Sequence, residues 1–304
     1  MATMNELDGK AAVVTGGGRG IGRAHCLQLA GAGAAVVVND VDQAEAENTA
    51  AEIRRRGGRA IADGSDIGTV SGAACAVATC RTEFGHIDAM VANAGIVRDR
   101  TFLKMSEEDV RRVFDVHFFG TFFCLQQAAL AMRDQGTGGA LITTVSAAHF
   151  GNFGQANYGA AKGAIASLTY TLALELARFG IRVNGISPLA TTRMSDTYKG
   201  ADGKDVELPY YDPELNGPML IYLISDRGNY ISGQIFGTGG ERIVILEHPR
   251  YGTGMYMEGG WAVEALDRHF RNHLGPVLEP IGLMKTPYPF RDGIRPPAPA
   301  APAQ

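Results

Sequence analysis

Residues 11–22 read AAVVTGGGRGIG, a short apolar run ending at Thr15 and then five glycines within seven residues. The run Ala11–Thr15 lacks polar alternation, as expected of a strand covered on both faces in a parallel sheet. The stretch Gly20–Leu29 that follows has helical composition. Glycines at 16, 20 and 22 allow a sharp turn and close approach of backbone to an anion. The first turn of a helix offers that anion unpaired N–H groups and the positive end of its dipole. A glycine loop alone could equally be a flexible connector. Its place between a strand and a helix favours binding of a dinucleotide pyrophosphate by Gly16, Gly20, Ile21 and Gly22.

The same alternation continues outward. Ala34–Asn39 (AAVVVN) precedes the helix-like Gln43–Arg56. Ile87–Ala92 (IDAMVA) and Ala140–Val145 (ALITTV) are each followed by a glycine- or serine-bearing loop and a helix candidate. Ser106 with Asp109 three residues on resembles a capping box. Gly180 closes a further helix before the strand Ile181–Ser187 (IRVNGIS). Apolar strands alternating with helices predict an α/β fold, a doubly wound, mainly parallel sheet with helices on both faces. Past Gly240 the character changes. Trp261–Leu274 is helical in composition, whereas Arg291–Gln304 is rich in Pro and Ala and is expected to be extended or disordered. The chain thus divides into a dinucleotide-binding core, residues 1–240, and an extension, residues 241–304, with no assigned role.

Composition narrows the partners. A net charge of −4 over 304 residues argues against a nucleic-acid backbone or an anionic membrane. The N-terminus, MATMNELDGK, lacks an apolar signal core and no apolar run approaches ~18 residues, so the cytoplasm is the expected compartment. Cys26, Cys75, Cys80 and Cys124 form no CxxC pair and read as buried apolar residues. The histidines show no ligand spacing, so no metal is expected.

Asp40 follows the second strand, 18 residues after Gly22, where a carboxylate accepts hydrogen bonds from ribose hydroxyls and repels a 2′-phosphate. It favours NAD over NADP. Arg19 is the opposing signal, since a cation beside the loop could bind that phosphate. Asp66, before Ile67, suits a carboxylate on the adenine amino group, or is an ordinary loop acid. Asn93-Ala94-Gly95 either lets backbone lie against a cofactor or forms an Asx turn.

Tyr158 and Lys162 are four apart on a helix-like stretch, so they face the same way. A tyrosine titrating near 10 needs a neighbouring positive charge to exchange protons near neutrality. Ser146 ends a strand where the crevice of a doubly wound sheet should open, and could hold a substrate oxygen. No GxSxG elbow surrounds it, which disfavours acyl transfer.

Together, TGGGRGIG, Asp66, Asn93–Gly95, Ser146 and the YxxxK at Tyr158–Lys162 resemble the short-chain dehydrogenase/reductase family, over about Leu7 to Gly240. The resemblance implies a Rossmann-type fold with seven mainly parallel strands and a homodimer or homotetramer. It implies that Ser146 orients substrate, that Tyr158 is the acid/base, and that Lys162 binds the ribose and lowers the tyrosine's pKa. A narrower resemblance, carried by VVVND at 36–40, GIVRDRTF at 95–102, Val116-His117 and GNFGQANY at 151–158, is to the dehydrogenase part of the peroxisomal multifunctional type 2 branch. That branch acts with NAD on 3-hydroxyacyl-CoA and, in some members, 17β-hydroxysteroids. PLATTRM at 188–194 is similar too, and implies that Pro188 and Thr191 or Thr192 approach the nicotinamide amide.

The chain departs from the family in three places. His117 stands where most members have Asn; the proton relay is expected to survive through the backbone carbonyl, and the side chain could equally be a packed helix histidine at a subunit contact. Ser146 precedes Tyr158 by 12 residues where 13 is commoner. The family pattern gives the chain after Gly240 no role. The leading expectation is an NAD-dependent dehydrogenase of 3-hydroxyacyl-CoA or steroid-type secondary alcohols. The alternatives are an NADPH-dependent 3-oxoacyl reductase and a non-catalytic dinucleotide-sensing protein.

Overall fold

The computed structural model describes residues 5–192 and 210–278. The strands are β1 (Ala11–Thr15), β2 (Ala35–Asn39), β3 (Arg59–Asp63), β4 (Ala89–Ala92), β5 (Gly139–Thr144), β6 (Ile181–Pro188), β7 (Ile235–Gly239) and β8 (Arg242–Leu246). The main helices are α1 (Gly20–Gly31), α2 (Gln43–Arg55), α3 (Val70–Phe84), α4 (Glu107–Phe114), α5 (Gly120–Gln135), α6 (Ala156–Leu176), α7 (Gly217–Ile224) and α8 (Val263–His273). Ser106 and Asp109 do form a full capping box at the start of α4.

The sheet order is β3-β2-β1-β4-β5-β6-β7-β8, and every pairing from β3 to β7 is parallel. Successive side chains leave a strand on opposite faces. Val14, Val36, Val91 and Ile142 therefore pack with Leu27 of α1, Ile53 of α2 and Leu220 of α7. Val13, Val37, Met90 and Leu141 pack on the other side with Val77 of α3 and Leu125 of α5. The chain winds from β1 out to β3, then crosses back to place β4 on the other side of β1. Loops at the carboxyl ends of β1 and β4 diverge there and leave a crevice.

The sheet has eight strands rather than the expected seven. β8 lies in the extension to which the sequence assigns no role. It returns antiparallel along β7 through a two-residue turn, with Gly240 at φ +55° and Gly239 pairing Arg242. Leu246 is buried with Ile235, Val145 and Ile165, whereas Ile243 and Ile245 point to solvent. The helix expected over Trp261–Leu274 forms as α8. The Pro/Ala-rich end, Arg291–Gln304, lies outside the described residues. Among the described residues no helix is long and apolar enough to cross a membrane, and no His/Cys/Asp/Glu group could hold a metal. Three cysteines are buried as expected; Cys75 is exposed.

Candidate active site

The crevice is built from β1 and β4 upward. Thr15 Oγ1 accepts the backbone N–H groups of Asn93 (3.0 Å) and Ala94 (3.1 Å), and Asn93 Nδ2 donates to the Thr15 carbonyl at 3.0 Å. These bonds fasten the glycine loop to residues 93–95. Gly16 has φ +63°, and a Cβ there would lie 2.8 Å from Ala94 Cα. A Cβ on Gly22 would fall 1.9 Å from the Gly16 carbonyl oxygen. Neither position tolerates a side chain, so backbone alone lines this part of the crevice. The first turn of α1, at Gly20, Ile21 and Gly22, has no side-chain cap, as befits a helix start that receives an external anion. The cradle fits a dinucleotide pyrophosphate.

Asp40 sits just past β2 in a fixed orientation. One carboxylate oxygen accepts the Gly18 N–H (3.1 Å) and the other the Asp42 N–H (3.0 Å). Arg19 reaches toward the start of α2, its Nη2 lying 2.7 Å from Asp42 Oδ2 and 3.0 Å from Glu45 Oε1. Asp63 accepts from Asn39 Nδ2 (2.8 Å) and Thr79 Oγ1 (2.9 Å), which makes it a structural acid. Asp66 is exposed, accepts the Gly68 N–H at 3.0 Å, and stands beside the buried Ile67. Pro188 ends β6. Thr191 is bracketed by Tyr211, donating its N–H to the Tyr211 carbonyl and accepting the Tyr211 N–H on Oγ1, each at 2.8 Å. Thr192 Cγ2 lies 3.4 Å from where a Gly20 Cβ would stand, so Thr192 is the threonine that lies against the glycine loop. Arg193 and Met194 of the same motif lie outside the described residues.

Ser146 follows β5 in extended conformation, and its Oγ accepts the Ala148 N–H at 3.2 Å. The loop beyond is tied down by Ala147 N–H donating to Ser187 Oγ at 3.1 Å. Tyr158 lies in the first turn of α6. Its helix start is anchored by the buried Asn157, whose Nδ2 donates to the carbonyls of Arg98 and Asp109, both at 3.1 Å. Asn157 Oδ1 in turn accepts the Tyr158 N–H at 2.8 Å. The Ser146 side chain lies close enough to the Tyr158 phenol to lower its pKa. Lys162, buried one turn further on, has its Nζ 5.6 Å from the Tyr158 ring centroid and donates to the Thr144 carbonyl at 2.6 Å. Ser146, Tyr158 and Lys162 therefore converge at the carboxyl end of β5. Asn157, Thr15 and Ser187 support the site, and the sequence reading missed all three. Their polar side chains carry no signal until burial is known.

The electrostatics differ from expectation. Burial pushes the Tyr158 phenol up; the Ser146 side chain opposes this and the Asp99 carboxylate adds to it. Burial also pushes Lys162 down to about 7. The expected depression of the phenol by its lysine is not produced by the protein's own groups, because desolvation penalises both charged forms at once.

His117 lies in a π turn, Asp115–Phe119, joining α4 to α5, an irregularity frequent at functional sites. It is 2% exposed, so it is packed within its own chain and not on a surface available for a subunit contact. Its Nε2 lies 2.7 Å from the Ile96 carbonyl oxygen and 3.0 Å from the Ile96 nitrogen. Its ring meets Tyr158 edge-on at 5.2 Å, and its Cε1 would be 2.3 Å from a Gly95 Cβ. Burial first, then the charge of Lys162, lower its pKa to about 3, against the hydrogen bond to Ile96. The neutral ring thus wedges residues 95–96 against Tyr158.

A parallel sheet reversing between β1 and β4, a side-chain-free cradle at that reversal and a Ser–Tyr–Lys cluster beside it define a dinucleotide-dependent oxidoreductase. The profile of the short chain dehydrogenase family matches residues 10–201, and the chain belongs to the short-chain dehydrogenase/reductase family. Members of this family bind NAD(H) or NADP(H). The chain is 36% identical over 299 residues to the peroxisomal multifunctional enzyme type 2 of Drosophila melanogaster, a match covering 91% of the chain and 48% of that enzyme. It spans about half that relative's length. A short chain dehydrogenase from Mycobacterium avium superimposes with a TM-score of 0.82 at 35% identity, covering 91% of this chain and 98% of that one. A 7α-hydroxysteroid dehydrogenase complexed with NADH and 7-oxo glycochenodeoxycholic acid gives a TM-score of 0.67 at 30% identity, covering 77% of this chain and 95% of that one.

Proposed function

We propose that this protein is an NAD-dependent dehydrogenase interconverting a secondary alcohol and a ketone, with 3-hydroxyacyl-CoA thioesters or 17β-hydroxysteroid-type alcohols as its substrates. The observation that carries the reading is the convergence of Ser146, Tyr158 and Lys162 beside the glycine cradle. In the oxidising direction Ser146 holds the substrate oxygen while Tyr158 withdraws the hydroxyl proton. Lys162 would donate to the ribose hydroxyls of a bound cofactor beside its bond to the Thr144 carbonyl. When bound, an oxidised nicotinamide would take up the hydride from the carbinol carbon, and its positive charge would favour the phenolate. His117 acts through packing, holding residues 95–96 against the tyrosine, while its π turn supplies the backbone carbonyl for proton exchange.

Asp66 and Ile67 would hold the adenine, and Asn93, Ala94 and Gly95 would line the cofactor. Pro188 and Thr192 would meet the nicotinamide amide, in a loop that Thr191 ties to Tyr211. Asp40 favours NAD over NADP, which disfavours an NADPH-dependent 3-oxoacyl reductase. Completeness of the cluster disfavours a purely sensing protein. The acyl-CoA preference draws on 37% identity over 260 residues to a hydroxyacyl-CoA dehydrogenase of Mycobacterium tuberculosis, and the steroid preference on the 7α-hydroxysteroid dehydrogenase. The test is NAD reduction measured against 3-hydroxyacyl-CoA, 17β-hydroxysteroids and simple secondary alcohols. Turnover with one of the first two at least ~10-fold above the third is expected; turnover of simple alcohols alone would overturn the substrate assignment. The expected assembly is a homodimer or homotetramer, which light scattering measures.

A further inference from the structure

Arg19 is the residue that could reverse the cofactor preference, because it stands at the N-cap of α1, inside the glycine loop, where a guanidinium could bind a 2′-phosphate. The structure commits it elsewhere. Its Nη2 pairs with Asp42 Oδ2 at 2.7 Å and with Glu45 Oε1 at 3.0 Å, both at the start of α2. The pairing is built into the backbone. Asp42 is the N-cap of α2, accepting the Glu45 N–H, and Asp40 accepts the N–H groups of Gly18 and Asp42 together. A Cβ on Gly18 would lie 2.8 Å from Glu45 Cβ and 2.9 Å from Asp40 Oδ2, so the glycine loop and α2 touch directly here.

We propose that Asp42 and Glu45 are specificity-determining residues that engage Arg19 and so deny a 2′-phosphate its only cationic partner in the glycine loop. The inference rests on the NAD reading above and deepens it. A dianionic phosphate beside the ribose would have to draw Arg19 from two carboxylates and then face three, Asp40, Asp42 and Glu45, against one cation. Exposed ion pairs are individually weak, so the discrimination comes from the summed charge of the cluster and not from the strength of either bridge. Asp40 alone is then an incomplete account of the preference.

The test compares wild type, Glu45→Gln, Asp42→Asn with Glu45→Gln, and that pair combined with Arg19→Ala. Asn keeps the N-cap, and the Glu45→Gln variant leaves the cap untouched. Isothermal titration with NAD+ and with NADP+ reads the ratio of the two dissociation constants, and steady-state kinetics gives the matching ratio of kcat/KM. The double variant is expected to shift the binding ratio toward NADP+ by about 10-fold or more, Glu45→Gln by less, and removal of Arg19 to diminish the shift to what relief of repulsion alone leaves. An unchanged ratio in the double variant, or a shift undiminished without Arg19, overturns the proposal. A wild type that itself prefers NADP+ would instead overturn the NAD reading, a result distinct from the response of the ratio to Asp42 and Glu45.

Discussion

At Lys162, burial and chemistry pull in opposite directions. An amine pushed down to about 7 in the fold but titrating near 10.4 in the unfolded chain binds more protons when unfolded. Stability therefore rises with pH across that interval, and the cost of the buried ammonium is full below pH 7. Lys162→Met should abolish turnover yet raise the melting temperature of the cofactor-free protein at pH 7, with the gain shrinking toward pH 10. Thermal unfolding at the two pH values checks this, and a variant less stable at pH 7 would show that the bond to Thr144 outweighs desolvation. Tyr158→Phe should keep NAD binding and lower turnover by ~10²–10⁴, the worth of a positioned proton donor. Calorimetry and initial rates read the two quantities, and undiminished turnover would remove the phenol from the chemistry. The YxxxK spacing made both residues legible in the sequence. Their environments were not legible, because desolvation depends on what packs around α6.

Among the elements, the π turn and the loop after β4 form a single joint. Gly95 has no room for a methyl group because His117 Cε1 would stand 2.3 Å from it. Gly95→Ala should therefore destabilise the protein by roughly 1–3 kcal/mol, the usual cost of overpacking. His117→Ala beside it should recover part of that loss, since the opposing ring is gone. A double-mutant cycle by urea unfolding gives the coupling; strictly additive losses would separate the two residues. The sequence showed that position 117 departs from the family's Asn, but not that its ring fills the space left by a glycine. Asn157 carried no signal either, although three of its hydrogen bonds set the start of α6. Strand β8 escapes a reading of Glu241 onward by its Pro-rich end, whereas Gly240-Glu241 followed by RIVIL is a hairpin signal.

Across the whole molecule, two neutral imidazoles sit inside the fold. Burial lowers His25 to about 4, and neither of its ring nitrogens has a hydrogen-bond partner; His117 is lowered to about 3. Unfolded histidines titrate near 6.5, so below that pH the unfolded chain takes up protons that the folded one refuses. Stability should fall with pH from about 6.5 toward 4, by up to about 1.4 kcal/mol per pH unit for each histidine. Urea unfolding at pH 7 and pH 5 should show a smaller drop for His25→Leu than for the parent chain. An equal drop would assign the acid sensitivity to other groups. The two apolar layers on either face of the sheet follow from the unbroken apolar strands, and that part of the architecture was legible from the start.

The order of residues by itself determined the strand–glycine loop–helix start, the alternation of strands and helices and the shared face of Tyr158 and Lys162, because each rests on local periodicity or on a spacing within one turn. Tertiary structure alone decided that Arg19 pairs with Asp42 and Glu45, that Asp63 is structural while Asp66 is exposed, and that the His117 ring fills the space beside Gly95. These are contacts between segments distant in the chain or distinctions of solvent exposure, and charge, burial and pairing across such distances are properties of the packed molecule.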